Sequence, residues 1–333
     1  MTSARDHGGG LDAAMARFGG TRKDWIDLST GINPIAYPLG TIESHVWATL
    51  PDRVAHDRLI AAARRFWRVP QDAQIIVANG ASALIAALPA LSPDTDAYIP
   101  GPTYNEHGAA FAAHQKLRHG DDPKAQAHVY VHPNNPDGRL WPGAAVGGRA
   151  LTIIDESFCD VTPDQSHIAR SHEDGVIVLK SFGKFWGLAG LRLGFAIARK
   201  STFALAPRPD ADADAPRAHL ADLLGPWAVS GPALCIGTRA LGDLEWAAKT
   251  RRRLTRDAAR LDAIAQSHNM VLAGGTDLFR LYDVGDAMHA QAQLARQHIW
   301  TRTFPYSKRW IRMGLPRPEQ FARIERAFAL GMG

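Results

Sequence analysis

The chain has 333 residues, of which 46% are hydrophobic and 21% are charged, and its formal net charge is +5. This length accommodates one large domain and one smaller domain, and the composition is typical of a water-soluble globular protein. Because no run approaches the roughly 18 apolar residues of a membrane-spanning helix, we expect no membrane partner.

Two features bear on the cellular compartment. The N-terminal residues MTSARDHGGG contain no apolar segment of the kind found in signal peptides. Cys159 and Cys235 lie far apart and outside any C-x-x-C motif, which excludes a disulfide scaffold. We therefore expect the protein in a reducing cytoplasm.

The N-terminal arm is predicted to form a short helix, a short strand and a turn. Leu11, Met15 and Phe18 follow one another at helical spacing, and residues 25–29 (WIDLS) read as a strand. Residues 30–34 (TGINP) predict a turn in which glycine lets backbone segments approach closely. The glycines at positions 8–10 do not predict a dinucleotide-binding site, because they do not belong to a strand–turn–helix unit.

From about residue 37 to residue 199, apolar strands alternate with helical segments, which predicts an α/β domain with a mainly parallel sheet. After the strand at residues 74–78, Gly80-Ala81-Ser82 opens a helix whose free N–H groups and serine hydroxyl can bind an anion. Asp155-Glu156 leaves another strand at the carboxyl edge of the sheet, where α/β proteins bind ligands. The further predicted strands are residues 97–100, 128–131, 151–154, 176–179 and 193–198.

The stretch from residue 175 to residue 198 carries the strongest chemical signal. Lys184 follows a buried strand and stands among Phe182, Phe185 and Trp186. Poor hydration favours the uncharged, nucleophilic form of its amine, which can condense with an aldehyde as a Schiff base. Arg192, eight residues further on, can bind a phosphate bidentately. An aldehyde and a phosphate together indicate pyridoxal 5′-phosphate (PLP) as the cofactor.

The same stretch fits two other catalytic motifs only in part. Ser181 and Lys184 match the S-x-x-K of acylating serine enzymes, but the chain contains neither S-D-N nor K-T-G. A P-loop would need serine or threonine after the Gly-Lys pair, where this chain has Phe185. A lysine that forms a Schiff base is therefore the favoured interpretation over an acylating serine or a P-loop.

Two side-chain patterns resemble metal sites without completing one. His128 and His132 share a strand face, but no third ligand stands at a suitable spacing. Asp210, Asp212 and Asp214 alternate as in a calcium loop, which would also need a glycine and a terminal glutamate. We therefore expect no metal.

The positive net charge raises the question of nucleic-acid binding. The densest basic run, residues 249–260, predicts an amphipathic helix with a solvated basic face rather than a nucleic-acid site. The cationic excess equally suits small molecules that carry phosphate. The apolar stripe of this helix comprises Ala247, Leu254, Ala258 and Leu261.

The remaining C-terminal sequence is long enough for a separate small domain. Residues 206–217 form a loop by composition, and a helical region begins near Pro226. Strands follow within residues 267–282 and 300–314, and a helix at residues 317–330 closes the chain. The predicted organisation is an N-terminal arm (1–36) that packs with the small domain, a large domain (37–222) and the small domain (223–333).

Taken together, these stretches resemble the fold-type I PLP enzymes, the aspartate aminotransferase superfamily. The resemblance implies a large domain with a mainly parallel, seven-stranded sheet, a smaller α+β C-terminal domain, and a homodimer with the active site near the interface. Lys184 would hold the cofactor covalently, and Asp155 would pair with its pyridine nitrogen. Asn135 would donate to its 3-oxygen, and Tyr104 would stack on its ring.

The resemblance also implies how anionic groups are bound. The cofactor phosphate would be bound by Gly80, Ala81, Ser82, Ser181 and Arg192. The substrate would be bound by His7, Gly31, Asn33, Arg302 and Arg312, of which Arg312 matches the arginine that binds the substrate carboxylate in the family. Because a tightly paired carboxylate hinders loss of CO₂, either Arg302 or Arg312 could instead serve the substrate phosphate, and the sequence leaves both assignments open.

Within the superfamily, the chain is most similar to the histidinol-phosphate aminotransferase branch and, inside it, to the L-threonine-O-3-phosphate decarboxylases of cobalamin biosynthesis. Three features favour the decarboxylases: the start His7-Gly8-Gly9, Phe158 in place of a tyrosine, and residues 226–229 (PWAV). The implied reaction is decarboxylation of L-threonine O-3-phosphate to (R)-1-amino-2-propanol O-2-phosphate. A histidinol-phosphate-type aminotransferase is the alternative, and the Asp155–Lys184 pair argues against a regulator that only binds ligand.

The chain departs from the family pattern at three positions. Leu50 stands where the partner subunit's tyrosine would otherwise reach the cofactor phosphate. Gly31 replaces a frequent asparagine, and Asp137 replaces a frequent threonine.

Overall fold

The computed structural model describes residues 8–93, 96–206 and 218–331. His7, the three alternating aspartates and nearly all of the predicted loop at residues 206–217 lie outside the described residues. Among the described residues, no helix is both long and apolar enough to cross a membrane.

Helices and strands alternate along most of the described chain. The helices are α1 (Leu11–Phe18), α2 (Ser44–Ala48), α3 (Arg53–Trp67), α4 (Ala81–Ala87), α5 (Asn105–Ala113), α6 (Leu220–Leu224), α7 (Gly231–Gly242), α8 (Leu244–Gln266), α9 (Ala287–Arg296) and α10 (Phe321–Gly331). The strands are β1 (Ile26–Asp27), β2 (Ala73–Asn79), β3 (Ala97–Tyr98), β4 (Ala127–Val131), β5 (Leu151–Asp155), β6 (Val176–Ser181), β7 (Leu193–Arg199), β8 (Val271–Thr276), β9 (Phe279–Asp283), β10 (Ile299–Trp300), β11 (Arg302–Phe304) and β12 (Ser307–Gly314).

The chain divides into two compact units. The larger unit comprises Tyr37–Asn135 and Arg139–Trp246, and the smaller unit comprises Met1–Ala36, Pro136–Gly138 and Ala247–Gly333. Residues 223–246 therefore group with the larger unit, whereas the sequence predicts them in the small domain. The reason is packing: α7 lies against α3, and Trp246 stacks on Trp186 with ring centroids 5.4 Å apart.

A mixed sheet forms the centre of the larger unit, with strand order β2-β7-β6-β5-β4-β3. Strands β3 to β6 are parallel, and β7 runs antiparallel to both of its neighbours. The described residues supply six strands to this sheet rather than the seven expected. At the edge of the sheet, β3 has only two residues. Just beyond it, Ile99 N donates one hydrogen bond of 2.8 Å to Gly120 O, and the segment around Gly120 does not form a further strand.

Burial on both faces explains why β4, β5 and β6 are nearly continuous apolar runs. Ile153, Ile177 and Leu179 belong to one buried core together with Leu84 of α4 and Phe111 of α5. Because these three strands are parallel and adjacent, their carboxyl ends meet at one edge of the sheet. That edge positions the side chains that follow each strand.

The smaller unit contains an antiparallel sheet of order β11-β12-β9-β8 and a parallel β1–β10 pair. The pairing of β1 with β10 joins the N-terminal arm to C-terminal residues of the same unit. Helix α8 buries the predicted apolar stripe and exposes Arg252, Arg256 and Arg260. The amphipathic helix expected for residues 249–260 is thus confirmed.

Candidate active site

A cavity opens at the carboxyl edge of the large sheet, within the larger unit. Of the residues predicted to bind the cofactor, all except Gly80 line it. The lining residues are Ala81, Ser82, Ile85, Tyr104, Val131, Asn135, Asp155, Ser157, Phe158, Ser181, Gly183, Lys184, Ala189 and Arg192. The fold thus brings together residues from five separate sequence segments, as the positions of the strand ends predict.

Asp155 is the buried carboxylate of the cavity. It ends β5 and is only 2% exposed. Its Oδ1 accepts hydrogen bonds from the Ser157 amide (3.0 Å) and the Ser157 hydroxyl (2.6 Å), and its Oδ2 lies 2.9 Å from His107 Nε2. Burial by itself raises the pKa of Asp155, but the hydrogen bonds from His107 and Ser157 outweigh burial and hold the pKa below its ordinary value. The group is therefore an anion at neutral pH.

Lys184 lies in the loop after β6, half-buried, with its Nζ 5.1 Å from the centre of the Phe158 ring. The aromatic residues predicted around it are buried. Phe182 stacks on Trp186 with ring centroids 5.1 Å apart and nearly parallel planes. This packing fixes the loop that presents the amine to the cavity.

Lys180, the nearest other lysine, is placed differently. It is 1% exposed and its Nζ lies 2.5 Å from Glu156 Oε2 and 3.6 Å from Asp160 Oδ1. Burial alone would lower the pKa of Lys180, but the charges of Glu156 and Asp160 outweigh it and raise the pKa. Lys180 therefore stays protonated and does not line the cavity, which leaves Lys184 as the candidate nucleophile.

At one end of the cavity, Arg192 lies against the backbone of Gly80. Gly80 has a φ of +81°, and a Cβ there would lie 2.6 Å from Arg192 Nη2 and 2.9 Å from its Cζ. A side chain at this position would therefore displace the guanidinium. Ser82 and Ser181 line the same cavity as Arg192, so it offers two hydroxyl groups and a guanidinium to an anion.

Tyr104 and Asn135 come from two loops that a buried asparagine ties together. Asn134 is fully buried; its Oδ1 accepts a 2.6 Å hydrogen bond from Thr103 Oγ1, and its Nδ2 donates to Pro102 O at 3.0 Å. Each loop therefore fixes the other, next to the residue that reaches the cavity. The sequence pattern alone indicates no role for Asn134.

Two hydrogen-bond partners of Asp155, His107 and Ser157, were not found from the sequence. His107 lies in α5 three residues after Tyr104, and the rings of the two residues meet edge to face. Ser157 comes two residues after Asp155, and at this spacing its side chain can donate a hydrogen bond to the Asp155 carboxylate. The i,i+3 spacing after Tyr104 and the Asp-x-Ser pattern are the signals that could have indicated them.

The predicted substrate residues that are described all belong to the smaller unit. Arg302 on β11 and Arg312 on β12 are directly opposite each other, and Arg312, which is buried, donates to Ser29 O at 2.9 Å. Asn33 Oδ1 accepts hydrogen bonds from Arg253 Nη2 (2.6 Å) and from its own turn. Gly31 is buried in the same loop.

His132, Glu156 and Cys159 place one potential ligand atom each within 4.8 Å of one another. Their atoms already have other partners: His132 Nε2 bonds to Gln165 O at 2.7 Å, and its Nδ1 accepts from the Trp141 amide at 3.0 Å. Glu156 is paired with Lys180. Because His132 and Glu156 already have these partners, we interpret the cluster as part of the protein interior rather than as a metal site.

Comparison with known proteins decides the family. A model of the class I and II aminotransferases matches residues 122–326. The chain belongs to this aminotransferase family.

Two curated members of the family are similar to this chain over nearly its whole length. A threonine-phosphate decarboxylase from Sinorhizobium sp is 38% identical over 95% of this chain and 94% of its own length. The threonine-phosphate decarboxylase of Pseudomonas aeruginosa is 36% identical over 97% of this chain and 96% of its own.

Among solved structures, a histidinol-phosphate aminotransferase from Sinorhizobium meliloti in complex with pyridoxal-5′-phosphate superposes with a TM-score of 0.75. It covers 98% of both chains at 16% sequence identity, so it shows a shared fold. The predicted fold class, an α/β fold of the fold-type I PLP enzymes, is confirmed.

Proposed function

We propose that this member of the aminotransferase family is a PLP-dependent decarboxylase. It converts L-threonine O-3-phosphate to (R)-1-amino-2-propanol O-2-phosphate, a step of cobalamin biosynthesis. The observation that carries the proposal is that Lys184 and the anionic Asp155 line one cavity, in a chain that is 38% and 36% identical to two threonine-phosphate decarboxylases over nearly its whole length.

The residues around the cavity fit PLP. Lys184 offers an amine for the aldehyde, and Asp155 offers a buried anion suited to a protonated ring nitrogen. Arg192, held against Gly80, offers a guanidinium for the phosphate. Tyr104 offers an aromatic face, and Asn135 an amide for the 3-oxygen.

PLP supplies an electron sink for a bond at the substrate Cα when that bond stands perpendicular to the cofactor ring. Asp155 would keep a proton on the ring nitrogen of bound PLP, because its carboxylate stays ionised at neutral pH. Lys184 would hold the cofactor through Nζ, and either Nζ or water would supply the proton that Cα needs once CO₂ has left.

We propose that Arg302 and Arg312 bind the two anionic groups of the substrate. Arg302 and Arg312 are paired directly across neighbouring strands, where two like charges are unfavourable. A substrate that carries both a phosphate and a carboxylate would offset that repulsion. His7, Gly31 and Asn33 would complete the binding and decide which bond at Cα stands upright.

The competing function is histidinol-phosphate aminotransferase, which uses the same cofactor but breaks the Cα–H bond. Purified protein with PLP is mixed with L-threonine O-3-phosphate, or with histidinol phosphate and 2-oxoglutarate. Release of CO₂ from the first mixture, without amino transfer in the second, is the expected result, and Lys184→Ala should abolish it. Amino transfer without CO₂ release would overturn the proposed reaction.

We also propose that the protein works as a homodimer in the cytoplasm. Trp47, Leu50 and Val54 lie close together in the sequence of the larger unit and are apolar side chains with exposed fractions of 67%, 66% and 57%. Such clustered exposure is typical of an interface that a second copy covers. The two free cysteines support a reducing compartment, which fractionation of the producing cells would test.

A further inference from the structure

We propose that Ser157 is a positioning residue for the cofactor: its two hydrogen bonds to one oxygen of Asp155 fix the carboxylate that meets the ring nitrogen. The inference rests on the proposed function only in taking PLP as the ligand. It assigns a role to a side chain that neither family resemblance nor strand position indicated.

The two oxygens of Asp155 have different hydrogen-bond partners. Oδ1 accepts from both the amide (3.0 Å) and the hydroxyl (2.6 Å) of Ser157. Oδ2 lies 2.9 Å from His107 Nε2. Donors at three points prevent rotation about the Cβ–Cγ bond, so the carboxylate faces the cavity in one orientation.

The hydroxyl bond is the shorter of the two from Ser157, as expected for a hydroxyl that donates to an ionised carboxylate. Asp155 is almost completely buried, and a buried carboxylate without donors would favour its neutral form. The low pKa of Asp155 agrees with this arrangement. Ser157 therefore maintains both the orientation and the charge of the group.

Ser157 lies at the cavity itself, yet its hydroxyl is directed to Asp155. Its effect on the cofactor should therefore pass through the ring nitrogen. This gives a test that separates positioning from general structural support: a PLP analogue with carbon in place of the ring nitrogen cannot benefit from Asp155.

The experiment measures the dissociation constants of PLP and of the carbon analogue for the apoprotein, from quenching of tryptophan fluorescence. Ser157→Ala removes one charge-assisted hydrogen bond, so it should weaken PLP binding about tenfold. It should leave the affinity for the carbon analogue unchanged. Ser157→Thr, which keeps the hydroxyl, should restore most of the PLP affinity.

Ser171→Ala is the matched control. Ser171 is a buried serine of the same unit whose hydroxyl has no hydrogen-bond partner among the described residues. Its replacement should leave both dissociation constants unchanged.

Two results would overturn the inference while leaving the proposed function intact: Ser157→Ala binding PLP as tightly as the wild type, or losing affinity for PLP and the carbon analogue equally. Failure of the wild-type protein to bind PLP at all would overturn the proposed function itself, and this inference with it.

Discussion

At Gly194, the backbone of β7 passes so close to the start of α4 that no side chain fits. A Cβ at this position would lie 2.3 Å from Ala81 N and 2.5 Å from Gly80 C. Both contacts are with backbone atoms, so the strain cannot be relieved by a rotamer change. The absence of a side chain at Gly194 therefore sets where Ala81 and Ser82 lie in the cavity.

We predict that Gly194→Ala lowers the free energy of unfolding by about 1–3 kcal/mol, the usual effect of overpacking. It should also weaken PLP binding, because it displaces the segment proposed to bind the cofactor phosphate. Urea unfolding and a PLP titration measure the two effects.

Gly242→Ala is the control for Gly194→Ala, because a Cβ there would meet nothing within 4 Å. It should leave both quantities near their wild-type values. An unchanged unfolding free energy in Gly194→Ala would contradict the proposed close approach.

The sequence identified those site residues that stand directly at strand ends. Asp155 ends β5 and Lys184 follows β6, and the carboxyl edge of a parallel sheet is where ligands bind. His107 and Ser157 act by touching Asp155, and contacts of this kind depend on tertiary structure rather than on a strand end. The buried pairing of Lys180 with Glu156 likewise became visible only in the fold.

At the scale of elements, continuous apolar runs were enough to locate most of the large sheet. The strands predicted at 151–154, 176–179 and 193–198 correspond to β5, β6 and β7 with shifts of at most two residues at an end. Strands buried on both faces leave a strong signal of this kind. Edge elements leave a weaker one, and the two-residue β3 falls short of the predicted 97–100.

An ion cluster behind the cavity joins β6 to the segment that follows β5. Lys180 lies near Glu156 and Asp160, and Asp160 accepts hydrogen bonds from the indoles of Trp67 (2.9 Å) and Trp186 (3.1 Å). Trp186 belongs to the loop that carries Lys184. The cluster therefore holds that loop through one of its own aromatic residues.

For the molecule as a whole, the oligomeric state is the property that sequence patterns predict least. Assignment to a domain follows from packing, and residues 223–246 joined the larger unit through α7 and Trp246. The proposal of a dimer rests on the exposed surface of Trp47, Leu50 and Val54.

We predict that the wild-type protein sediments at about 72 kDa, twice the chain mass of 36.2 kDa. Leu50→Lys combined with Trp47→Asp should shift it toward the monomer, because charges would then be buried at the interface. Met288→Lys, at an equally exposed apolar residue of the smaller unit, is the control. Wild-type protein that sediments as a monomer would refute the dimer.

The central claim is that the amine of Lys184 carries the cofactor. Borohydride reduction of the PLP-loaded protein, followed by protease digestion and mass spectrometry, identifies the lysine that bears the pyridoxyl group. We predict the modification on Lys184 and none on Lys180, whose Nζ is paired with Glu156. A pyridoxyl group on Lys180, or on any lysine other than Lys184, would contradict the account.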